Sequence, residues 1–216
     1  MRKIERRALT DLVYEKIKLM IQDGVLVPAQ KVSKKQLALY LGVSQTPVNE
    51  AVNRLKGEGL IEQRNRQGFF IKTFTYEDMK DLFAVRAGLE GVAVRLCIEE
   101  LPDERLEELV HLFDGFDEPL GKKELGRYLK ADRQFHERLI ALSRNSLIIS
   151  MNNNFDFMLK SHQKGLIRSP QETLPEHRAI IRAIRDRDAQ RAQELCMLHQ
   201  LKSRDVIKEK HLKFTP

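Results

Sequence analysis

The sequence of 216 residues predicts a mainly α-helical protein with two domains, on the basis of three observations. Strand-like segments occur only at residues 60–72, whereas apolar residues recur at helical spacing along most of the remaining chain. Residues 1–75 hold 14 Lys/Arg and 7 Asp/Glu, whereas residues 76–216 hold 24 of each. Apolar residues make up 42% and glycine and proline are scarce, which is typical of a globular chain. We place the domain boundary near residues 73–76.

Several classes of protein are excluded by composition. No stretch approaches the roughly 18 consecutive apolar residues of a membrane span, and the N-terminus lacks the apolar core of a signal peptide. Cys97 and Cys196 lie far apart and fit neither a disulfide framework nor a paired metal knuckle, so we expect reduced core residues. These observations favour a cytoplasmic protein without membrane association.

Three helices are predicted in the basic segment. In the first, apolar residues recur at helical spacing from Leu9, Thr10 can cap the start, and Asp23 and Gly24 end the run. The second begins after the N-cap Ser33 and ends at Gly42, and the third begins after Ser44. The connection between the second and third helices is only about three residues long, which is the spacing of a helix-turn-helix.

A basic hairpin is predicted after the third helix. Residues 60–63 and 69–72 are typical of two short strands, and residues 64–68 connect them. Three helices followed by a basic hairpin form the winged helix-turn-helix layout, in which the third helix enters the major groove of DNA. A winged helix that contacts another protein is the alternative, and the charge difference between the two domains argues against it.

Two sets of side chains in this domain suit DNA recognition. At the start of the third helix, short or amide side chains are suited to base edges, and an amide pairs with adenine in bidentate fashion. They are Ser44, Gln45, Thr46 and Asn49. The second set neutralises phosphates and should steepen the salt dependence of binding. It comprises Lys34, Lys35, Arg54, Arg64 and Arg66.

The second domain is predicted to be all-helical. Six segments with helical periodicity are separated by gaps that contain Gly121, Asn145 and Pro170. The predicted helices cover residues 76–99, 103–114, 122–143, 146–167, 174–186 and 188–211.

Four polar residues of this domain fall on the apolar faces of their helices. Asp132 and His136 are four residues apart on one face, and His177 and His199 lie within the apolar stripes of two later helices. Burial of these groups is costly unless they are paired, and one divalent metal ion would pair all four. One oxygen and three nitrogen ligands suit Zn²⁺, Ni²⁺ or Mn²⁺. For any single histidine, a hydrogen bond to a carbonyl or an acid is the alternative.

Arg86 interrupts the apolar stripe of the helix at residues 76–99 and requires an anionic partner. Glu90, one turn later, is one candidate for that partner. A bound acid is the other, which would make Arg86 an effector-binding residue.

The segment from Lys34 to Gly59, with Leu60, Ile61 and the wing glycine Gly68, resembles the DNA-binding domain of GntR-type bacterial transcription regulators. The resemblance implies DNA contacts at Ser44, Thr46 and Gly68. In that family, arginine usually stands at three positions that here are Lys35, Gln45 and Asn49. Arginine favours guanine whereas Asn and Gln favour adenine, so we expect an operator sequence that differs from those of family members with the three arginines. Ala29 also stands where the family usually has glycine.

The C-terminal part, about residues 76–212, resembles the FCD domain of the FadR subfamily of these regulators. The matching features are Asp132-x-x-x-His136, Asn145, Glu176-His177 and His199. The resemblance implies a bundle of six or seven helices, a divalent metal on the aspartate and three histidines, and a cavity for a small carboxylic or sugar acid.

The expected function is ligand-responsive DNA binding. Residues 1–75 would bind a palindromic operator, and residues 76–216 would bind the effector and form a homodimer. A metal sensor, with the ion as effector, is one alternative. A metal-dependent enzyme is another, but it would require a general base beside the metal, and we expect none there. An effector that is not an acid, in a metal-free cavity, also stays open.

Overall fold

The computed structural model describes residues 2–117, 119–162 and 167–207. The chain forms two compact units, and the boundary between them falls between Phe74 and Thr75. None of the described helices has both the length and the apolar character needed to cross a membrane.

The first unit contains three helices and a three-stranded antiparallel sheet of order β1-β3-β2. Its elements are α1 (Arg2–Gln22), β1 (Lys31–Val32), α2 (Lys34–Leu41), α3 (Gln45–Gly57), β2 (Ile61–Arg64) and β3 (Gly68–Ile71). The buried apolar faces of the three helices share one core with the inner face of the sheet. Three helices followed by the β2–β3 hairpin form the predicted winged helix-turn-helix.

Two details of this unit differ from the sequence prediction. Helix α1 begins at Arg2, so Thr10 lies inside the helix and is not its N-cap; its hydroxyl instead donates to Glu50 over 2.7 Å. Strand β1 was not predicted, because two residues are too short to show an alternating pattern. Its residues Lys31 and Val32 pair with β3.

The helix-turn-helix is closed by its predicted caps. The Ser33 side chain accepts a hydrogen bond from the Gln36 backbone N–H, and Gly42 ends α2 in the left-handed conformation with φ 65°. Ser44 is the N-cap residue of α3, but its side chain makes no capping hydrogen bond. The Ser44 hydroxyl is therefore not engaged in holding the start of α3.

Two turns of this unit place residues other than glycine at positive φ. Ala29 has φ 65°, and its N–H donates to the carbonyl of Ile71 over 3.0 Å. Arg66, at the tip of the β2–β3 hairpin, has φ 51°. Left-handed backbone is costly for residues with a Cβ, so the hydrogen bond from Ala29 to Ile71 forms at the expense of local backbone strain.

The second unit begins at Thr75, and its described part contains six α-helices, with α7 included up to residue 156. They are α4 (Tyr76–Glu100), α5 (Asp103–Val110), α6 (Leu125–Leu142), α7 (Ser146–His162), α8 (Pro170–Arg185) and α9 (Ala189–Val206); a 3₁₀ turn, Lys122–Glu124, precedes α6. A helix end was predicted at residue 167, but Ile167 is described and is not helical. The predicted helix end at residue 211 and the predicted domain end at residue 216 lie outside the described residues.

The start of α8 corrects the sequence prediction. Pro170 was assigned to a gap and the helix to residues 174–186, but Pro170 is the first residue of α8. Ser169 and Glu172 form a capping box there, and proline is tolerated in the first turn because its missing N–H has no helical partner.

The helices of this unit pack around one apolar core. The largest side chains of that core are aromatic: Phe113, Tyr128 and Phe135 are all almost completely buried. Helix α4 packs along α9, and α6 and α8 contribute side chains to the same core. This arrangement brings the inward faces of α4, α6, α8 and α9 together around a small set of buried polar residues.

Candidate metal centre and DNA-binding surface

Three histidines from three helices meet inside the second unit. His136 of α6, His177 of α8 and His199 of α9 are all buried, and one ring nitrogen of each lies within 4.8 Å of the others. The Nε2 atoms of His136 and His177 are 3.5 Å apart. These three residues are hereafter the histidine cluster.

The Nδ1 atom of each imidazole has its own partner on the outer side of the cluster. His136 Nδ1 lies 2.8 Å from Glu90 Oε2, and His199 Nδ1 lies 2.8 Å from Glu176 Oε2. Because a carboxylate accepts, we assign the proton of both rings to Nδ1. Their Nε2 lone pairs then face the centre. An outer-side partner that fixes the tautomer in this way is typical of metal-binding histidines.

His177 completes the cluster through neutral partners. Its Nδ1 lies 3.1 Å from the Tyr128 hydroxyl, which is 2.5 Å from the Thr173 hydroxyl. The ring also stacks on Phe113, with centroids 4.4 Å apart. Burial, together with the neighbouring His199 and His136, lowers the pKa of His177 well below its usual value. Burial likewise lowers the pKa of His199. These two rings are therefore neutral near pH 7, as a metal ligand must be.

Glu90 of α4 is the most deeply buried charged residue among those described, with no exposed surface. Its carboxylate accepts hydrogen bonds from Arg86 Nε at 2.6 Å and Gln200 Nε2 at 2.7 Å, in addition to the contact with His136. Burial raises the pKa of Glu90, but Arg86 and His136 outweigh it and hold the pKa below its usual value. Glu90 is therefore ionised at neutral pH.

Glu176 has the corresponding position beside His199. Arg168 binds both of its carboxylate oxygens, at 2.6 and 2.7 Å, and Lys202 Nζ donates over 2.8 Å. Burial alone would raise the pKa of Glu176, but the hydrogen bonds from His199, Arg168 and Lys202 lower it. The carboxylate that orients His199 is therefore itself fixed by two cations.

Asp132 lies at the edge of the cluster. Its Oδ1 is 3.6 Å from His177 Nε2, on the predicted face of α6. Its side chain is 22% exposed, so Asp132 is less buried than the three histidines. An exposed edge is where a carboxylate avoids most of the cost of desolvation.

Arg86 forms an ion pair with Glu90, the first of its two sequence-based alternatives. It is buried within the unit, and its partner Glu90 also contacts His136. An effector-binding role for Arg86 stays a prediction.

The groups that contact Nδ1 of the three histidines were not predicted from the sequence. Glu90 was predicted only as a partner of Arg86, and no contact was predicted for Tyr128. A signal was present, because Glu90 falls on the same helical face as Ala87, Ala93 and Val94, all of which are buried.

The first unit presents the predicted base-reading residues at the start of α3. Ser44, Gln45 and Thr46 are exposed, and Asn49 is half-buried one turn later. Pro47 and Val48, which alternate with them, are buried against the core. The helix therefore presents its polar face outward.

The predicted phosphate-binding residues differ in their surroundings. Lys35 and Arg66 are exposed. Lys34 Nζ lies 3.9 Å over the Phe69 ring, and burial followed by the charge of Lys56 lowers its pKa. Arg64 forms an ion pair with Glu62 at 2.7 Å on the hairpin itself and stacks on Phe70.

Arg54 and Gly68 have evident structural roles. The Arg54 guanidinium lies over the Tyr14 ring at 3.8 Å and pairs with Asp11, and both contacts join α1 to α3. It also pairs with Glu58 at the end of α3 itself. Gly68 has φ 106°, and a Cβ there would lie 3.4 Å from the Lys31 side chain. That distance is an ordinary contact, so it is the positive φ that favours glycine at this position.

Both units of the chain match known protein families. Residues 9–71 match the family described as bacterial regulatory proteins, gntR family, and residues 81–202 match the FCD domain family. The chain belongs to the GntR family. It is a DNA-binding transcription regulator of the GntR/FCD type, and the families and relatives that it matches are regulators, not enzymes.

Two relatives illustrate the match of this GntR regulator. The Nta operon transcriptional regulator of Aminobacter aminovorans is 30% identical over 182 residues, which cover 84% of this chain and 86% of the relative. The HTH-type transcriptional regulator YdhC of Bacillus subtilis (strain 168) is 28% identical over 191 residues, which cover 86% and 85%.

Solved structures share the fold of this GntR regulator. Escherichia coli McbR/YncC superposes with a TM-score of 0.66 at 20% identity, over 92% of this chain and 96% of that one. A putative GntR regulator from Rhodococcus sp. RHA1 superposes with a TM-score of 0.67 at 21% identity, over the same shares. GntR regulators bind DNA operators and FCD domains bind small-molecule effectors.

Proposed function

We propose that this regulator binds a divalent metal ion at the histidine cluster and a small carboxylic or sugar acid beside it, and that the acid changes its affinity for an operator. The observation that carries the proposal is the convergence of three buried imidazoles whose Nδ1 atoms are all engaged on the outer side. The Nε2 lone pairs of His136 and His199 both face the centre, and a single N–H from His177 could satisfy only one of them.

The residues fit a metal ion of the borderline class. His136, His177 and His199 would supply nitrogen ligands, and Asp132 would supply an oxygen ligand from the exposed edge. Zn²⁺, Ni²⁺ and Mn²⁺ are all compatible with this donor set. When bound, such an ion supplies a positive centre with positions open to the carboxylate of an effector.

Arg86 is the second cationic group that we assign to effector binding. Its guanidinium is held by Glu90, which also contacts His136. An acid bound at the cluster would meet this buried charge network and compete for its hydrogen bonds. The hydrogen bonds of the network would therefore differ between the acid-bound and acid-free protein. Such a difference is required for an effector to shift the equilibrium between two conformations.

The DNA side of the proposal uses the exposed start of α3 and the wing. We propose that Ser44, Gln45, Thr46 and Asn49 read base edges in the major groove, with amide contacts favouring adenine. Phosphate contacts would come from Lys34, Lys35, Arg64 and Arg66, with Gly68 keeping the wing close to the backbone. Arg54 would act mainly by holding α3 against α1.

Regulation requires that the two activities be coupled. We propose a homodimer that binds a palindromic operator, because two copies of the winged helix match two half-sites. An effector that favours one packing of α4, α6, α8 and α9 would change the placement of the two DNA-binding units. A coupling of about 1–3 kcal/mol would change operator affinity between about fivefold and about 150-fold.

The test begins with selection of binding sites from a random duplex pool by the full-length protein. Affinity for the selected site is then measured with and without Zn²⁺, Ni²⁺ or Mn²⁺, and with a panel of small hydroxy acids and sugar acids. A change that requires metal and acid together supports the proposal. A change with metal alone would instead identify a metal sensor, and no change with any combination would contradict ligand response.

A further inference from the structure

A groove on the second unit is lined by both basic and apolar residues, and none of them belongs to the histidine cluster. It lies between α5 with its following turn and α8, and has a volume of about 440 Å³. Its lining comprises Val110, Phe113, Asp114, Pro175, Arg178, Ile181, Arg182 and Arg185. We refer to it as the α5–α8 groove.

The arginines of this groove share one face of α8. Arg178, Arg182 and Arg185 follow the spacing i, i+4 and i+7, which places them one above another. Among the described residues that line the groove, Asp114 is the one carboxylate beside three arginines, so their charges sum to a positive excess. That carboxylate lies 2.7 Å from His111 and 3.8 Å from Arg185, so its closer partner is outside the groove.

Arg182 is the least engaged of the three. Arg178 donates to the Phe116 carbonyl. Within the part of the chain that the structure describes, the Arg182 guanidinium has no hydrogen-bond or ion-pair partner. The exposed guanidinium of Arg182 and the weakly paired Arg185 are therefore available to an anion, for which arginine offers two parallel donors.

The rest of the lining is apolar. Pro175 is exposed at the groove, whereas Val110, Phe113 and Ile181 line its floor and are only 7%, 2% and 4% exposed. The body of a small organic molecule would pack on these apolar edges. A free inorganic anion would use the arginines alone and leave this surface empty. Phe113 also stacks on His177, so one wall of the groove adjoins the histidine cluster.

We infer that the α5–α8 groove is a second ligand site, which binds a small amphipathic anion with its acidic group on Arg182 and Arg185 and its apolar body on Val110, Phe113 and Ile181. This site does not depend on the proposed metal. It would give the regulator a second input.

The probe for this site is 1-anilinonaphthalene-8-sulfonate, which joins a sulfonate to an aromatic body. Its fluorescence is titrated with full-length protein in the presence of EDTA, so that a metal-dependent cavity cannot contribute. Saturable binding is expected, and R182Q/R185Q should weaken it by about tenfold or more. The control R105Q/R191Q removes two exposed arginines elsewhere on the same unit and should leave binding unchanged.

Competition then tests the class of ligand. Salicylate should displace the probe at concentrations at which inorganic phosphate does not, because only salicylate has an apolar body. Equal displacement by phosphate would contradict an amphipathic site. Absence of saturable binding in EDTA, or equal weakening by R182Q/R185Q and R105Q/R191Q, would overturn the assignment to this groove.

Discussion

The Nε2 atoms of His136 and His177 lie 3.5 Å apart, although the two residues belong to different helices and are 41 positions apart in the chain. Both rings are buried, and both have an outer partner at Nδ1. At this distance one ring can donate a single N–H to the other, whereas a cation would bind the Nε2 atoms of all three histidines. The histidine cluster is therefore where we place the bound ion.

The carboxylate of Glu176 is expected to set the metal affinity through His199. Replacement E176Q keeps the shape but removes the charge that holds the Nδ1 proton, so affinity should fall by about 10–100-fold. Competition with a chromogenic chelator measures the change. E194Q, which alters an exposed glutamate on α9, is the control. Equal affinities for E176Q and the wild type would contradict an orienting role.

Lowering the pH should destabilise the metal-free protein at pH values above those at which its carboxylates become protonated. The pKa values of His177 and His199 are lowered in the fold, so below about pH 6.5 the unfolded chain binds more protons than the folded one. The free energy of unfolding should therefore fall as the pH is lowered from about 6.5. The depressed pKa values of Glu90 and Glu176 contribute losses only below about pH 4.5.

This pH dependence is checked by urea unfolding in EDTA. H177Q should flatten the slope of stability against pH, whereas H111Q, which replaces an exposed histidine, should not. A slope that is the same in H177Q as in the wild type would show that the cluster does not cause it.

Ala29 is expected to be a site of stored backbone strain. The replacement A29G removes the cost of φ 65° for a residue with a Cβ, which is about 1–2 kcal/mol. Part of this gain is lost because glycine increases the conformational entropy of the unfolded chain. A net gain of about 0.5–1 kcal/mol is expected in thermal or urea unfolding of the first unit. A38G, inside α2, should have the opposite sign. Destabilisation by A29G would disprove the strain.

Base and phosphate contacts should separate in DNA binding. R66N, which tolerates the positive φ of the wing tip, should weaken binding to all sequences alike and reduce the salt slope by about one unit. N49A should instead relax preference at one or two base pairs and leave the salt slope unchanged. Binding isotherms at several salt concentrations, on selected and scrambled duplexes, measure both. Identical profiles for the two variants would remove the proposed division of roles.

The sequence predicted the helices and the histidine cluster because both follow from helical periodicity. His136, His177 and His199 each fell on an apolar face, and packing of those faces then brought them together. The partners Tyr128 and Glu176 could not be assigned in this way, since their contacts depend on helix rotation and on side-chain conformation. Strand β1 was missed because its two residues are defined only by their partners in β3.

The central claim is that the histidine cluster holds a divalent metal ion. Elemental analysis of full-length protein purified without chelators tests it most directly. The account predicts about one ion per chain, and much less than half of that in H199A. Wild-type protein that stays free of metal after incubation with Zn²⁺, Ni²⁺ and Mn²⁺, or that binds no more than H199A, would contradict it.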